Sequence, residues 1–170
     1  MPSFIERIAR VGHKWRMIDP LNRRIFLQRS GMAGLLVALP AIAAAASGPA
    51  MVTWRDPGCG CCIKWVEAMR KAGFKVTVRE TSDMAAVKAR LRVPEALGSC
   101  HTTQVAGLVV EGHVPAAAIR RLLARRPAGV VGVAAPGMPR GSPGMETSDG
   151  SKDPLNLTLF DAKGRSRPFA

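Results

Sequence analysis

MVTWRDPGCGCCIKWVEAMRKAGFKVTVR, residues 51–79, changes its hydrophobic period from that of a strand to that of a helix and back again. MVTWR (51–55) is β-prone and runs straight into DPG, a turn-forming triplet. From Cys62 the apolar residues Ile63, Val66 and Met69 recur at helical spacing among Lys64, Glu67, Arg70 and Lys71, and Gly73 is placed to end that helix. FKVTVR (74–79) then alternates apolar and polar, the pattern of a half-buried strand. Strand, helix and strand make a crossover unit, which is right-handed as a rule. Its turn holds Cys59, Cys61 and Cys62, and the chain has a single further cysteine, Cys100. Three thiols in four positions are too crowded for ordinary structural bridging.

Reading onward, Ser82 or Asp83 can cap a second helix that runs to about Leu91 or Arg92, with Pro94 just beyond. GSCHTT (98–103) introduces QVAG and LVVEGHV, two short strands bent at Gly107. Pro115 suits the first turn of a third helix, AAAIRRLLARR, whose arginines read as a solvated face. VVGVAAPGMPRGSPGMETSDG (130–150) shows no sustained period and is expected to be mostly loop. NLTLF (156–160) and RSRPF (165–169) flank DAKG as a terminal hairpin. The order β-α-β-α-β-β-α predicts an α/β, thioredoxin-like core with a Gly/Pro-rich loop and a C-terminal β-hairpin. That topology sets the loop after the first strand at the carboxyl edge of the sheet, where sites tend to form. It also folds Ser99-Cys100-His101, just before the third strand, against the same loop. Cys100 is thus expected to meet the other three thiols across 38 residues of chain. Thioredoxins carry a cis-proline at that place, and this chain does not.

The amino-terminal segment reads as an address. NRRIFLQRS (22–30), with adjacent Arg23 and Arg24, precedes the apolar run GMAGLLVALPAIAAAA (31–46) and small residues in an Ala-x-Ala pattern. These are the parts of a secretory signal of the twin-arginine type. The sixteen-residue run is short for a spanning helix, which needs about 20 residues. The expected organisation is therefore a signal peptide (1–46), a domain (47–150) and a C-terminal extension (151–170), with the mature protein in a periplasm. The membrane is involved only through the export signal. The whole chain carries a formal charge of +13. Without residues 1–46 it keeps 18 basic against 10 acidic side chains, a net +8. Aromatic residues make up only 5% with no Tyr, which argues against a nucleic-acid partner that stacks bases.

Thiolates at a helix mouth sit in the field of its positive end, which favours the deprotonated, metal-binding form. Side chains of adjacent helical residues diverge by about 100°, so Cys61 and Cys62 grip different ions more easily than one. Soft thiolates favour Cu(I), zinc and iron–sulfur centres. Structural zinc sites bring paired C-x2-4-C motifs, which one C-x-C-C run and a lone cysteine match poorly. A compact copper–thiolate cluster fits better. His101 can coordinate, act behind a ligand, or be only a polar loop residue. His113, at a strand end after Gly112, takes part only if the chain folds it back. Met138 and Met145 offer thioethers that suit Cu(I), and methionine serves equally as adaptable packing.

DPGCGCCIKWVEAM, SCHTTQVAGLVVEGHVPAAAIRRLL and PGMPRGSPGM together resemble the CopG-type periplasmic copper-resistance proteins, a group first recorded as a domain of unknown function. The resemblance spans about residues 51–146. It implies a thioredoxin-like fold, copper binding and a part in copper resistance or homeostasis. Carried over by motif, the ligands are Cys59, Cys61, Cys62 and Cys100, joined by His101, His113, Met138 and Met145. The cargo expected is Cu(I), as several ions sharing sulfurs, with Cu(I)/Cu(II) exchange a further option. Periplasmic copper carriers or exporter components are the implied partners. The competing reading is a thiol–disulfide oxidoreductase using the C-x-x-C of Cys59 and Cys62. A third, two purely structural disulfides, starts badly from adjacent Cys61 and Cys62.

Overall fold

The computed structural model describes residues 48–169, so the signal segment expected at 1–46 lies outside the described residues. The opening stretch folds as its periods require. Strand β1 (Gly48–Arg55) leads to helix α1 (Gly60–Lys71) and strand β2 (Phe74–Glu80). Helix α1 buries Cys62, Trp65, Val66 and Met69, one stripe at spacings of three and four. Its end is fixed by Gly73, whose φ of +89° suits glycine and whose N–H donates to Arg70 O at 2.8 Å. Helix α2 (Met84–Arg90) is capped by Asp83, whose carboxylate accepts from Ala86 N.

A short 3-10 turn (Glu95–Leu97) precedes β3 (His101–Val105) and β4 (Leu108–Gly112). Helix α3 (Ala116–Ala124), β5 (Val130–Ala135) and a hairpin of β6 (Thr158–Asp161) and β7 (Ser166–Pro168) complete the chain. The result is a mixed α/β fold with one seven-stranded sheet in the order β2-β1-β3-β4-β5-β6-β7. The β1–β2 and β4–β5 pairs are parallel, and the other neighbours run antiparallel.

Strand β5 departs from expectation, since the lack of a sustained period in VVGVAA predicts a loop there. It lies between β4 and β6 with nearly every residue buried, so its sequence needs no polar alternation to belong to a sheet. Gly132 within it is a packing glycine: a Cβ there would stand 2.1 Å from the Phe160 ring. The terminal hairpin is not free-standing, because β6 pairs with β5 and continues the sheet.

The pleat sorts side chains to two faces. Met51, Val105, Leu108, Val110, Val133 and Leu159 meet α1 and α3 on one face, around Trp65, Ile119 and Leu122. Val109, Ala134 and Phe160 form a smaller cluster with Val93 and Leu97 on the other. Trp65 is fully buried and its indole N–H donates to Val114 O at 3.0 Å, so its polar handle is satisfied. Among the described residues no helix is long and apolar enough to cross a membrane.

Candidate metal centre

Strand register explains how distant residues converge. Arg55, the last residue of β1, sits opposite His101, the first residue of antiparallel β3. Thr102 sits opposite Glu111 near the end of β4, and Gly112 opposite Ala135 at the end of β5. The loop after β1, the segment before β3, and the segments after β4 and β5 therefore share one edge.

The loop after β1 is tied down by its own polar groups. Asp56 Oδ1 accepts from Gly58 N at 2.8 Å, and Asp56 O accepts from Cys59 N at 3.1 Å. The Arg55 guanidinium pairs with Glu80 and donates to Asp56 O and Pro57 O at 2.9 and 3.0 Å. This turn delivers Cys59 to the N-cap of α1, with Cys61 and Cys62 in the first helical turn.

The four sulfurs lie within 4.8 Å of one another. A disulfide joins Cys59 to Cys62, while Cys61 and Cys100 are free thiols. Cys61 Sγ stands 3.6 Å from Cys59 Sγ and 3.8 Å from Cys100 Sγ. Two sulfurs bound to one ion at about 2.3 Å in tetrahedral array are about 3.8 Å apart, so Cys61 and Cys100 stand at ligand spacing. Cys100 belongs to a second donor group as well, with His101 Nδ1 at 3.3 Å and His113 Nε2 at 3.1 Å.

The histidines are prepared as neutral donors. His113 Nδ1–H donates to Pro143 O at 2.7 Å, which leaves the Nε2 lone pair facing Cys100. Burial lowers its proton affinity. His101 is held well below the usual histidine range by burial and by the nearby His113 and Lys88; the Gly112 backbone only partly opposes this. Its Nε2 is buried without a hydrogen bond of proper geometry, and its ring lies 4.5 Å from that of Trp65. Cys100 is pushed up to about 12, chiefly by burial and then by Cys61, so a metal binding there displaces a proton.

The loop after β5 covers the site. A Cβ on Gly144 would lie 2.6 Å from Trp65 N and 2.8 Å from Cys61 O, an approach that glycine alone permits. Met145 lines a cleft of about 430 Å³ together with Cys61, Lys64 and Arg140. Met138 is 41% exposed and does not line that cleft. The structure thus gathers the cysteines and both histidines at one edge, places Met145 at its mouth, and leaves Met138 on the surface.

Two charged residues that the sequence pattern does not mark stand behind the site. Glu111 is fully buried and pairs with Lys88 of α2. Burial raises its proton affinity, while Lys88, Thr102 and the Ser99 backbone oppose that rise. The signal available was a single carboxylate inside the apolar run LVVEGHV.

The family described as a protein of unknown function, DUF411, matches residues 97–145. That segment contains Cys100, both histidines and both methionines, and stops short of the Cys59–Cys62 turn. Two solved structures of a copper resistance protein, CopG Form 1 and Form 2, are each 46% identical with a TM-score of 0.67. Each covers 72% of this chain, and the match takes in 96% and 97% of theirs. No curated protein matches the chain.

Proposed function

The chain belongs to the copper-resistance family of CopG, and from that membership and the edge geometry we propose that it binds copper as Cu(I) for copper resistance or homeostasis. The observation that carries the reading is Cys100, which belongs both to the four-sulfur group and to the group with His101 and His113. A thiolate between two sets of partners can bridge ions, and this supports the reading of a multinuclear site. Seven of the eight donor candidates keep a role in it: Cys59, Cys61, Cys62, Cys100, His101 and His113 as inner ligands and Met145 at the mouth, while exposed Met138 has none. The donors are sulfur and imidazole with no carboxylate, which suits copper and disfavours magnesium or calcium. Exchange between Cu(I) and Cu(II) is compatible with the mixed sulfur and nitrogen half.

Filling all four sulfurs requires opening the Cys59–Cys62 disulfide. A thiol reductant supplies two electrons, two protons are taken up, and two thiols result. The first five elements, followed by β3, β4 and α3, support the reading of a thioredoxin-like core, with β5, β6 and β7 as its extension. The Arg23–Arg24 signal supports export to a periplasm, where copper carriers or an exporter would exchange the cargo.

The same disulfide favours a second reading, a thiol–disulfide oxidoreductase in which the partly exposed Cys59 is attacked and Cys62 is the buried resolving sulfur. One experiment separates the two. The reduced protein is titrated anaerobically with Cu(I), and bound ions and free thiols are counted per chain. Several ions, with every thiol consumed, bears out the copper site. A single tightly held zinc, or no metal together with rapid disulfide exchange on a model substrate, rejects it.

A further inference from the structure

Glu111 projects from β4 toward α2, on the face of the sheet opposite Trp65, two residues before His113. Three donors meet on its carboxylate. Lys88 pairs with Oε1, Ser99 N–H donates to the same oxygen at 2.6 Å, and the Thr102 hydroxyl donates to Oε2 at 2.6 Å. Lys88 also donates to Thr102 Oγ1 at 3.1 Å. Ser99 immediately precedes Cys100 and Thr102 follows it by two residues, so one buried carboxylate holds the chain on both sides of the lone sulfur.

Sheet stability does not explain such a group. Burying a carboxylate and an ammonium is costly even when they are paired, and apolar side chains of similar size hold neighbouring elements as well or better. The next residue on the same face, Val109, shows that apolar packing is accommodated there. What an apolar pair cannot do is accept hydrogen bonds from Ser99 and Thr102. We infer that Glu111 and Lys88 are a positioning pair for the metal-binding sulfur. They fix the backbone around Cys100 so that its Sγ stands between His113 Nε2 and Cys61 Sγ, at 3.1 and 3.8 Å. This inference rests on the copper-binding reading of the same edge. Neither side chain belongs to a donor group; both act through the chain that carries the donor.

The test is the double substitution Lys88→Met with Glu111→Leu in the full chain. Replacing both charges at once leaves no buried ion unpaired, while Ser99 N–H and the Thr102 hydroxyl lose their acceptor, so the thermal midpoint should fall without loss of the fold. Co(II) affinity of the reduced protein should fall about 10–100-fold, the range for groups that orient ligands from behind. The sulfur-to-Co(II) charge-transfer band should change shape with it. In the metal-free protein, the alkylation rate of Cys100 relative to Cys61, followed with iodoacetamide by mass spectrometry, should rise several-fold. Thr102→Val removes one of the two bracketing donors and keeps the ion pair. It should move both readouts the same way by less, and it decides the matter if the double variant does not fold. A folded variant with the parent's Co(II) affinity, spectrum and alkylation ratio overturns the inference. A parent that takes up neither Co(II) nor Cu(I) overturns the copper reading instead, and the alkylation ratio still decides the positioning role.

Discussion

The two halves of the candidate centre are built in opposite ways. On the helix side, three sulfurs come from one turn of chain, within four residues, and two of them are joined in a disulfide. On the strand side, Cys100 and His101 stand at the start of β3 and His113 just after antiparallel β4, and they are held by hydrogen bonds to Pro143 and, through the backbone, to Glu111. The helix half is partly exposed apart from Cys62, and its donor set changes with the redox state of one bond. The strand half has both histidines buried, and its donor set is the same whether or not that bond is closed. Sequence proximity assembles donors that can be switched, whereas strand register assembles donors that stay in place.

Cys100→Ser breaks this comparison most severely, because that sulfur belongs to both halves. Anaerobic titration should show fewer Cu(I) ions per chain and a loss of the intact mixed sulfur–nitrogen site. Parent-like stoichiometry would mean that the two halves act separately. Opening the disulfide should affect one half only. The reduced protein is expected to bind more Cu(I) than the oxidised protein, and His113→Ala should weaken binding in both states, as metal-to-protein ratios would show.

Gly144→Ala tests the contact that brings the covering loop onto the helix half. Its φ of +84° and the 2.6 Å approach to Trp65 N predict a loss of about 1–3 kcal/mol, read from denaturant unfolding. Asp83→Ala is the smallest effect and the control. It removes the cap of α2 for about 1 kcal/mol and should leave copper stoichiometry unchanged. A change in stoichiometry there would show that metal counts merely follow stability.

Much of the architecture could be read from local pattern. The period change across residues 51–79, the capping of α2 at Asp83 and the glycine stop at Gly73 are all decided by neighbours in the chain. Strand β5 could not be read so, because a strand covered on both faces carries no alternation and its Gly132 resembles loop punctuation until Phe160 is seen against it. Glu111 was hidden for a related reason: a carboxylate in a strand normally points to water, and only α2 packed over that face turns it inward onto Lys88.

By itself the sequence determined that three soft ligands crowd the mouth of a helix between two strands, since that depends only on spacing and on turn chemistry. Element order led to the expectation that Cys100 meets those ligands, whereas the gathering of His101 and His113 around Cys100 was decided by the tertiary structure. Contacts between residues far apart in the chain are set by which strands pair and in what register, and that choice is made by burial of the whole sheet.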